Sequence, residues 1–215
     1  IRRDLSQLEQ TGLLRRVHGG AISADNQSLE PEVVERSLAN VDEKRRIATR
    51  ALAEVPEQGT IFLDAGTTTG EMADLLPAGR QITVVTNSLS IALTLAGRPG
   101  YRVLTTGGEV RGTTLATVGP WAESRLATIS TDVAFIATNG VSPERGLTTP
   151  NHLEAGVKRA IVRSAHRVVL LADHTKFERD YFETFADLGE VDLLITDSAV
   201  PERATLFLAE ADVST

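Results

Sequence analysis

Six short apolar runs, separated by stretches with helical periodicity, dominate the chain from residue 42 onward. The runs are mostly continuous rather than alternating, which is typical of strands covered on both faces. They occupy positions 61 to 63, 82 to 85, 101 to 104, 133 to 136, 167 to 172 and 193 to 195. The intervening stretches predict crossover helices at 69 to 76, 88 to 96, 121 to 127 and 152 to 164. This alternation predicts an α/β domain with an open, mostly parallel sheet in three layers.

The first 40 residues have a different pattern. Apolar residues on one helical face precede Gly12, and the segment LLRRVHGGAI that follows predicts a short hairpin turning at HGG. Residues 23 to 40 are polar and irregular and contain Pro31, so they predict a connector. The sequence therefore predicts three parts: a small unit at 1 to 22, the connector, and a large domain at 41 to 215.

Composition narrows the class of protein. The whole chain has a net charge of −7, yet residues 1 to 22 carry four arginines against two acidic residues. A basic end on an acidic body predicts two functions in one chain. The sequence has no cysteine and no apolar run of membrane-spanning length, so we expect a cytoplasmic protein without disulfides. The four histidines show no metal-ligand spacing, and we predict neither a metal nor a cofactor.

The segment TIFLDAGTTTGEMADLL predicts a strand, a loop and a helix with anion-binding chemistry. A helix that begins near Thr68 would direct unpaired N–H groups toward the loop, where Thr67, Thr68 and Thr69 add hydroxyl donors. These groups suit a phosphate. The alternative is a capping box of Thr68 and Glu71, which needs no ligand. The segment matches neither the nucleotide P-loop nor the GxGxxG dinucleotide pattern.

Loops after the other apolar runs carry similar polar residues. Because the carboxyl ends of parallel strands lie at one edge of a sheet, these loops predict a pocket for a phosphorylated polyol. The candidate residues are Asp64, Gly66, Thr67, Thr68, Thr69, Asn87, Gly107, Gly140, Asp173 and Lys176. As alternatives, Asp173 and Lys176 form an exposed ion pair, and Asp64 bonds the backbone of its own turn. Lys158, on the helix from His152, is predicted to be solvated.

Several motifs in one order resemble the DeoR family of bacterial transcription regulators. The opening IRRDLSQLEQTGLLRRVHGGA resembles the second half of the DNA-binding domain of that family. The resemblance continues through EKRRIA, FLDAGTTT, VVTNS, TTGGEVR, GLTT, ADHTK and VDLLITD, and covers essentially the whole chain. It implies a partial winged helix-turn-helix, followed by an effector domain similar to ribose-phosphate isomerases that senses a phosphorylated sugar.

The resemblance also implies residue roles. The recognition helix and the wing would contact DNA, with solvated arginines as the alternative. The DNA-binding candidates are Arg2, Arg3, Arg15, Arg16 and His18. Near the connector, Arg36 and Lys44 become secondary candidates for effector binding. We expect operator recognition to need residues upstream of Ile1, because the first helices of that domain are absent from the sequence. Symmetric operators predict a homodimer or a homotetramer.

The resemblance thus implies a regulator without catalytic residues that represses a sugar-uptake or sugar-catabolism operon. It also implies a response to a sugar phosphate, with a fructose phosphate as the first guess. A second class is a sugar-phosphate isomerase, in which Asp64 or Asp173 acts as the base. A third is a protein-interaction domain that uses the helix at 121 to 127. In the main interpretation Trp121, the sole tryptophan, is a core residue or an oligomer contact.

Overall fold

The computed structural model describes residues 14–17, 20–23, 31–211 and 213–215. The chain divides into two compact units, Ile1–Glu30 and Pro31–Thr215. In the first unit, β1 (Leu14–Val17) and β2 (Gly20–Ser23) pair in antiparallel orientation, which confirms the strands of the predicted hairpin. The two turn residues between these strands lie outside the described residues. The helix predicted before Gly12 lies outside them too.

The second unit alternates strands and helices. Its elements in chain order are α1 (Val33–Leu38), α2 (Val41–Ala51), β3 (Gln58–Leu63), α3 (Thr67–Leu75), β4 (Gln81–Thr86), α4 (Leu89–Leu95), β5 (Tyr101–Thr105), β6 (Glu109–Arg111), β7 (Ala116–Val118), α5 (Pro120–Leu126), β8 (Val133–Ala137), β9 (Gly140–Ser142), β10 (Gly146–Thr149), α6 (His152–Ser164), β11 (Val168–Leu171), β12 (Glu183–Ala186), β13 (Leu193–Ile195) and α7 (Glu202–Glu210). Short 3-10 turns occupy Leu52–Glu54, His174–Lys176 and Leu188–Glu190.

Six parallel strands form the central sheet in the order β13-β11-β8-β3-β4-β5. The chain runs from β3 outward to β5 at one edge, returns to β8 beside β3, and continues to β13 at the other edge. β3 and β8 are therefore neighbours from which the chain continues in opposite directions. The crevice between their carboxyl ends is the switch point of the sheet, where ligands of such folds bind.

Apolar side chains alternate between the two faces of this sheet and form two cores. Ile61 and Leu63 of β3 pack with α2, α3 and α4, whereas Phe62 between them packs with α5, α6 and α7. A strand covered on both faces needs apolar residues at every position, which explains the continuous runs in the sequence. The predicted three-layer, mostly parallel α/β fold is confirmed.

Two predictions about burial are wrong. In β5, Arg102, Leu104 and Thr105 are exposed because this strand is at the edge of the sheet, so its apolar run is not covered on both faces. Trp121 is 80% exposed and does not belong to the core, because α5 packs through Ala122 and Leu126 instead. Its alternative role as an oligomer contact stays a prediction.

The segment predicted to be an irregular connector contains α1, which belongs to the second compact unit. The expectation of irregular structure is therefore wrong for Val33–Leu38, while the proposed domain boundaries stay a prediction. None of the six side chains of α1 is buried. A helix this short has little stability of its own, so its contacts with the rest of the domain determine whether it forms.

Candidate functional site

The turn after β3 begins the candidate site, at the switch point of the sheet. Here α3 begins at Thr67 after the N-cap residue Gly66, which has no side chain to cap the helix. The first N–H groups of a helix have no acceptor inside it, and in α3 these belong to the threonine loop. Thr68 lies inside the helix rather than at its cap, so the capping box with Glu71 is wrong. The nine-residue helix directs its positive end toward this turn.

The three threonines of this loop have different environments. The hydroxyl of Thr69 donates to the carbonyl oxygens of Asp64 at 2.7 Å and Gly66 at 3.0 Å, so it holds the turn together. Thr68 is buried, whereas Thr67 is half-buried and lines a cavity. Thr67 and the backbone N–H groups are therefore the parts of the loop best placed to reach a ligand.

A cavity of about 290 Å³ opens at this turn. It lies between the first turns of α3 and α4, and α1 forms part of its wall. Its lining comprises Val33, Val34, Ser37, Gly66, Thr67, Gly70, Glu71, Asp74, Ser88, Ser90, Ile91, Thr94, Thr114 and Leu115. Hydroxyl groups and a helix N-terminus on one wall suit a small anionic polyol.

Asn87 supports the same turn from the neighbouring strand. Its side-chain oxygen accepts the N–H of Ala65 at 2.8 Å, and its backbone oxygen accepts the N–H of Thr117 at 2.7 Å. Asn87 is buried, and these contacts join the end of β4 to the turn after β3 and to β7. Its predicted role in effector binding remains a prediction, but it clearly fixes the geometry of the loop.

Asp64 forms a buried ion pair with Lys158 of α6. The same carboxylate oxygen, Oδ2, accepts the N–H of Ala137 at 3.1 Å, and Lys158 also donates to the Ala137 carbonyl oxygen at 2.9 Å. The pair therefore ties β3 to β8 across the switch point. Asp64 does not bond the backbone of its own turn through its side chain, and the prediction that Lys158 is solvated is wrong, because only 4% of Lys158 is exposed.

Asp173 follows β11 and caps the short turn that contains Lys176. Its Oδ1 atom accepts the N–H of Thr175 at 3.0 Å, the Thr175 hydroxyl, and the amide of Asn40 at 3.4 Å. Its other oxygen, Oδ2, is buried and receives no hydrogen bond from the part of the chain that the structure describes. Thus Asp173, rather than Asp64, bonds its own turn, and it also contacts the start of α2.

Lys44 is buried where α2 meets α1. Its ammonium group donates to the carbonyl oxygens of Arg36 and Ala39, at the carboxyl end of α1. Burial lowers the pKa of Lys44, although the nearby Asp173 carboxylate acts in the opposite direction. The charges of Arg36 and Lys176 also lower the pKa of Lys44 and that of Glu71 raises it, so all three side chains lie in its electrostatic neighbourhood.

The two remaining glycine candidates follow the carboxyl ends of β5 and β8 and do not line the cavity. Gly107, after β5, is exposed and has φ of 70°, which favours glycine. Gly140 starts β9 in an antiparallel sheet of order β12-β10-β9, where a side chain would overlap the Arg179 carbonyl oxygen. Packing alone accounts for Gly140, and its role in effector binding remains a prediction.

The DNA-binding candidates fall outside what the structure describes in detail. Arg15 and Arg16 lie in β1, whose backbone is described and whose side chains are not. Arg2, Arg3 and His18 lie outside the described residues. Their roles therefore stay predictions.

Two polar clusters were missed by the sequence analysis. Glu154, in the first turn of α6, is buried and accepts from Arg111 at 3.0 Å and from the hydroxyl of Thr114, which lines the cavity. Asp197, after β13, accepts the backbone N–H of His174 at 2.8 Å and lies 3.1 Å from its Nδ1 atom. Asp197 stands directly after a predicted strand, so the strand-end rule could have found it.

We expect Asp197→Asn to lower the free energy of unfolding by about 1 kcal/mol at pH 7. Burial raises the pKa of Asp197, but hydrogen bonds from the His174 and Ala199 N–H groups and from the His174 ring outweigh it, so the pKa is lowered. A lowered pKa contributes stability above the unfolded value near 4. Urea unfolding should therefore show a wild-type advantage that shrinks as the pH falls from 6 to 3; a constant difference would contradict this account.

The larger unit is therefore an α/β domain with polar residues gathered at its strand ends, and a small basic unit precedes it in the chain. The family model described as the DeoR C terminal sensor domain matches residues 39–198, and the DeoR-like helix-turn-helix domain model matches residues 1–27. The chain belongs to the DeoR family of transcriptional regulators. The expectation drawn from its sequence motifs is confirmed.

The chain matches most of the length of two curated relatives, both of which are named as regulators of transcription. The HTH-type transcriptional regulator GlpR of Haloferax volcanii is 44% identical over 200 residues, covering 93% of this chain and 78% of that protein. The glycerol-3-phosphate regulon repressor of Escherichia coli is 30% identical over 201 residues, covering 94% and 79%. These relatives identify the protein as a regulator rather than an enzyme, so the isomerase hypothesis is not retained.

A solved regulator structure shares the fold. The probable sor operon regulator from Shigella flexneri aligns with a TM-score of 0.52 and 10% identity, covering 97% of this chain and all of that one. Ribose 5-phosphate isomerase A from Methanocaldococcus jannaschii aligns with a TM-score of 0.47 and 17% identity, covering 65% of this chain and 55% of that one.

Among the described residues, no helix is long and apolar enough to cross a membrane. No group of three acidic, histidine or cysteine side chains in the described part of the chain is arranged to hold a metal ion.

Proposed function

We propose that this protein is a cytoplasmic repressor of a sugar-uptake or sugar-catabolism operon, and that a phosphorylated sugar bound at the switch point alters its affinity for operator DNA. The observation that carries the proposal is the N-terminus of α3, which meets Thr67 and the hydroxyl-lined cavity at the strand ends. The name of the Escherichia coli relative, a glycerol-3-phosphate regulon repressor, supports a phosphate ester as effector.

In this proposal the residues have separate roles. The N–H groups of the threonine loop and Thr67 bind the phosphate, while Asp173, Lys176 and Lys44 hold sugar oxygens or phosphate charge. The buried pair of Asp64 and Lys158 and the amide of Asn87 keep the loop in place, and Asp64 and Asn87 remain candidates for contact with the ligand. A fructose phosphate remains the first guess for the sugar.

The DNA-binding part of the proposal assigns the basic end of the chain to the operator. Arg2 and Arg3 lie in or beside the major groove, and Arg15, Arg16 and His18 contact phosphates or the adjacent groove from the wing. Because symmetric operators are bound by symmetric proteins, the protein acts as a homodimer or homotetramer. Sedimentation of the protein alone and with operator DNA tests this assembly.

Thermal unfolding in the presence of phosphosugars tests the effector. We expect one of fructose 1-phosphate, fructose 6-phosphate and glycerol 3-phosphate to raise Tm by several degrees at a hundredfold excess over its Kd, because only the folded protein binds it. The unphosphorylated sugar and inorganic phosphate serve as controls. If no phosphosugar shifts Tm beyond inorganic phosphate, the proposed effector class is wrong.

Titration calorimetry then tests individual residues. Lys176→Ala should weaken binding of the active phosphosugar about ten- to hundredfold, since it removes one charge-assisted contact of about 1.5–3 kcal/mol. The matched control is Arg163→Ala, which removes an exposed cation from α6, away from the cavity. Unchanged affinity in Lys176→Ala would rule that lysine out.

A further inference from the structure

The attachment of α1 to the sensor domain uses residues that are also candidates for effector binding. At its start, the N–H of Val33 donates to the Thr113 carbonyl oxygen at 2.8 Å. At its end, the Lys44 ammonium binds the carbonyl oxygens of Arg36 and Ala39. The last carbonyls of a helix have no partners inside it, so Lys44 satisfies two acceptors that would otherwise need water.

The junction between α1 and α2 is held by Asp173. Asn40, which lies between the two helices, has φ of 51° and ψ of 43°, in the left-handed region, and its amide donates to Asp173 at 3.4 Å. Asp173 is only 1% exposed, and its buried Oδ2 atom receives no donor from the described residues. A buried carboxylate oxygen without a donor is costly, and a hydroxyl donor would relieve that cost.

A phosphorylated sugar offers what both residues lack. For Lys44, a phosphate oxygen is a stronger partner than a carbonyl oxygen, because the negative charge of the phosphate adds Coulombic attraction to the hydrogen bond. For Asp173, a sugar hydroxyl is a donor to Oδ2. Both residues are buried, with Lys44 bonded to the end of α1 and Asp173 to Asn40, so a ligand that takes both residues as partners must displace these bonds.

Resting on the proposed function, we propose that α1 and the phosphorylated effector compete for Lys44 and Asp173, so that effector binding releases α1 from the sensor domain. The position of α1 fits this role, because Val33, Val34 and Ser37 line the cavity that receives the ligand. Since the apparent affinity scales with the fraction of protein in which α1 is released, a change that weakens the attachment of α1 strengthens effector binding by up to the same factor.

The competition predicts that a variant with a more weakly attached α1 binds the effector more tightly, and this direction can be tested. Val33→Pro removes the N–H that bonds Thr113, yet proline is well accommodated at the first position of a helix. Glu32 has φ of −59° and ψ of 153°, a backbone conformation suited to the residue before proline. We expect Val33→Pro in the full chain to bind fructose 1-phosphate, fructose 6-phosphate or glycerol 3-phosphate, whichever shifts Tm of the wild type, about two- to tenfold more tightly.

A second variant and a control keep the test decisive. Asn40→Gly retains the left-handed backbone and removes only the amide that contacts Asp173, so it should also tighten binding. Leu38→Ala, at an exposed position of α1 that does not line the cavity, should leave affinity unchanged. Hydrogen exchange of the α1 amides should quicken when the phosphosugar is added to the wild type, whereas a ligand that merely docks beneath α1 would slow it.

The outcomes separate the two proposals. If the wild type binds no phosphosugar, the proposed function fails and the competition fails with it. If the wild type binds one but Val33→Pro and Asn40→Gly bind it equally or more weakly, only the competition is overturned. Tighter binding in both variants, together with faster exchange in α1, supports it.

Discussion

Replacing Lys158 with methionine is expected to lower the free energy of unfolding by about 3–5 kcal/mol, because the change leaves the Asp64 carboxylate buried without its cation. Asp64 is fully buried, and its Oδ2 atom has only Lys158 and the N–H of Ala137 as donors among the described residues. Methionine fills a similar volume, so loss of packing contributes little to the effect. Urea unfolding followed by circular dichroism measures it.

A double-mutant cycle distinguishes the charge from other causes. Asp64→Asn combined with Lys158→Met removes both charges, and the oxygen of the introduced amide can still accept the N–H of Ala137, so much of the lost stability should return. Arg163→Ala, at an exposed position on the same helix, should change stability by less than about 0.5 kcal/mol. If the double variant were no more stable than Lys158→Met, the cost would not arise from an unpaired buried charge.

The burial of Lys158 and its pairing with Asp64 could not be predicted from the sequence. Its neighbours Leu153, Val157 and Ile161 define the apolar stripe of α6, and a lysine beside such a stripe is usually solvated. Its partner Asp64 is 94 residues away in sequence. No local periodicity encodes a pair at that separation, because it exists only once α6 has packed over the ends of β3 and β8.

The sheet itself could be predicted because burial on both faces leaves a local signature. Each of the six apolar runs corresponds to one parallel strand, and the helix predicted at 152 to 164 has the bounds of α6. The edge strand β5 shows the limit of this rule. The run YRVL is apolar enough to predict a strand, but a local run does not reveal the strand order that puts β5 at the edge of the sheet.

The position of the candidate site could be predicted from the sequence, but the role of each residue in it could not. The strand-end rule gathered Asp64, Asn87 and Asp173 at one edge, since parallel strands share their direction. The structure then separates them: Asp64 and Asn87 are engaged in holding the turn after β3, while Asp173 contacts the connector through Asn40. Which partner each side chain takes depends on distances of a few ångströms that arise only from packing.

Gly66→Ala is expected to destabilise the protein by about 1–3 kcal/mol, through crowding at the switch point. The backbone of Gly66, with φ of −174°, is extended and suits any residue, so backbone strain is not the cause. A Cβ atom there would lie 2.8 Å from the Cβ of Ala137 and 3.0 Å from the hydroxyl of Thr69. Ala137 cannot retreat easily, because its N–H and carbonyl both bond the Asp64 and Lys158 pair.

Gly70→Ala provides the matched control one helical turn away. A Cβ atom at Gly70 meets nothing within 4 Å, and alanine in a helix is favoured over glycine, so this variant should be more stable than the wild type by roughly 0.5–1 kcal/mol. Urea unfolding of the two variants should therefore give shifts of opposite sign. Equal shifts would mean that the turn after β3 is loose enough to accept a side chain, in which case Gly66 does not set the approach of β3 and β8 that forms the crevice.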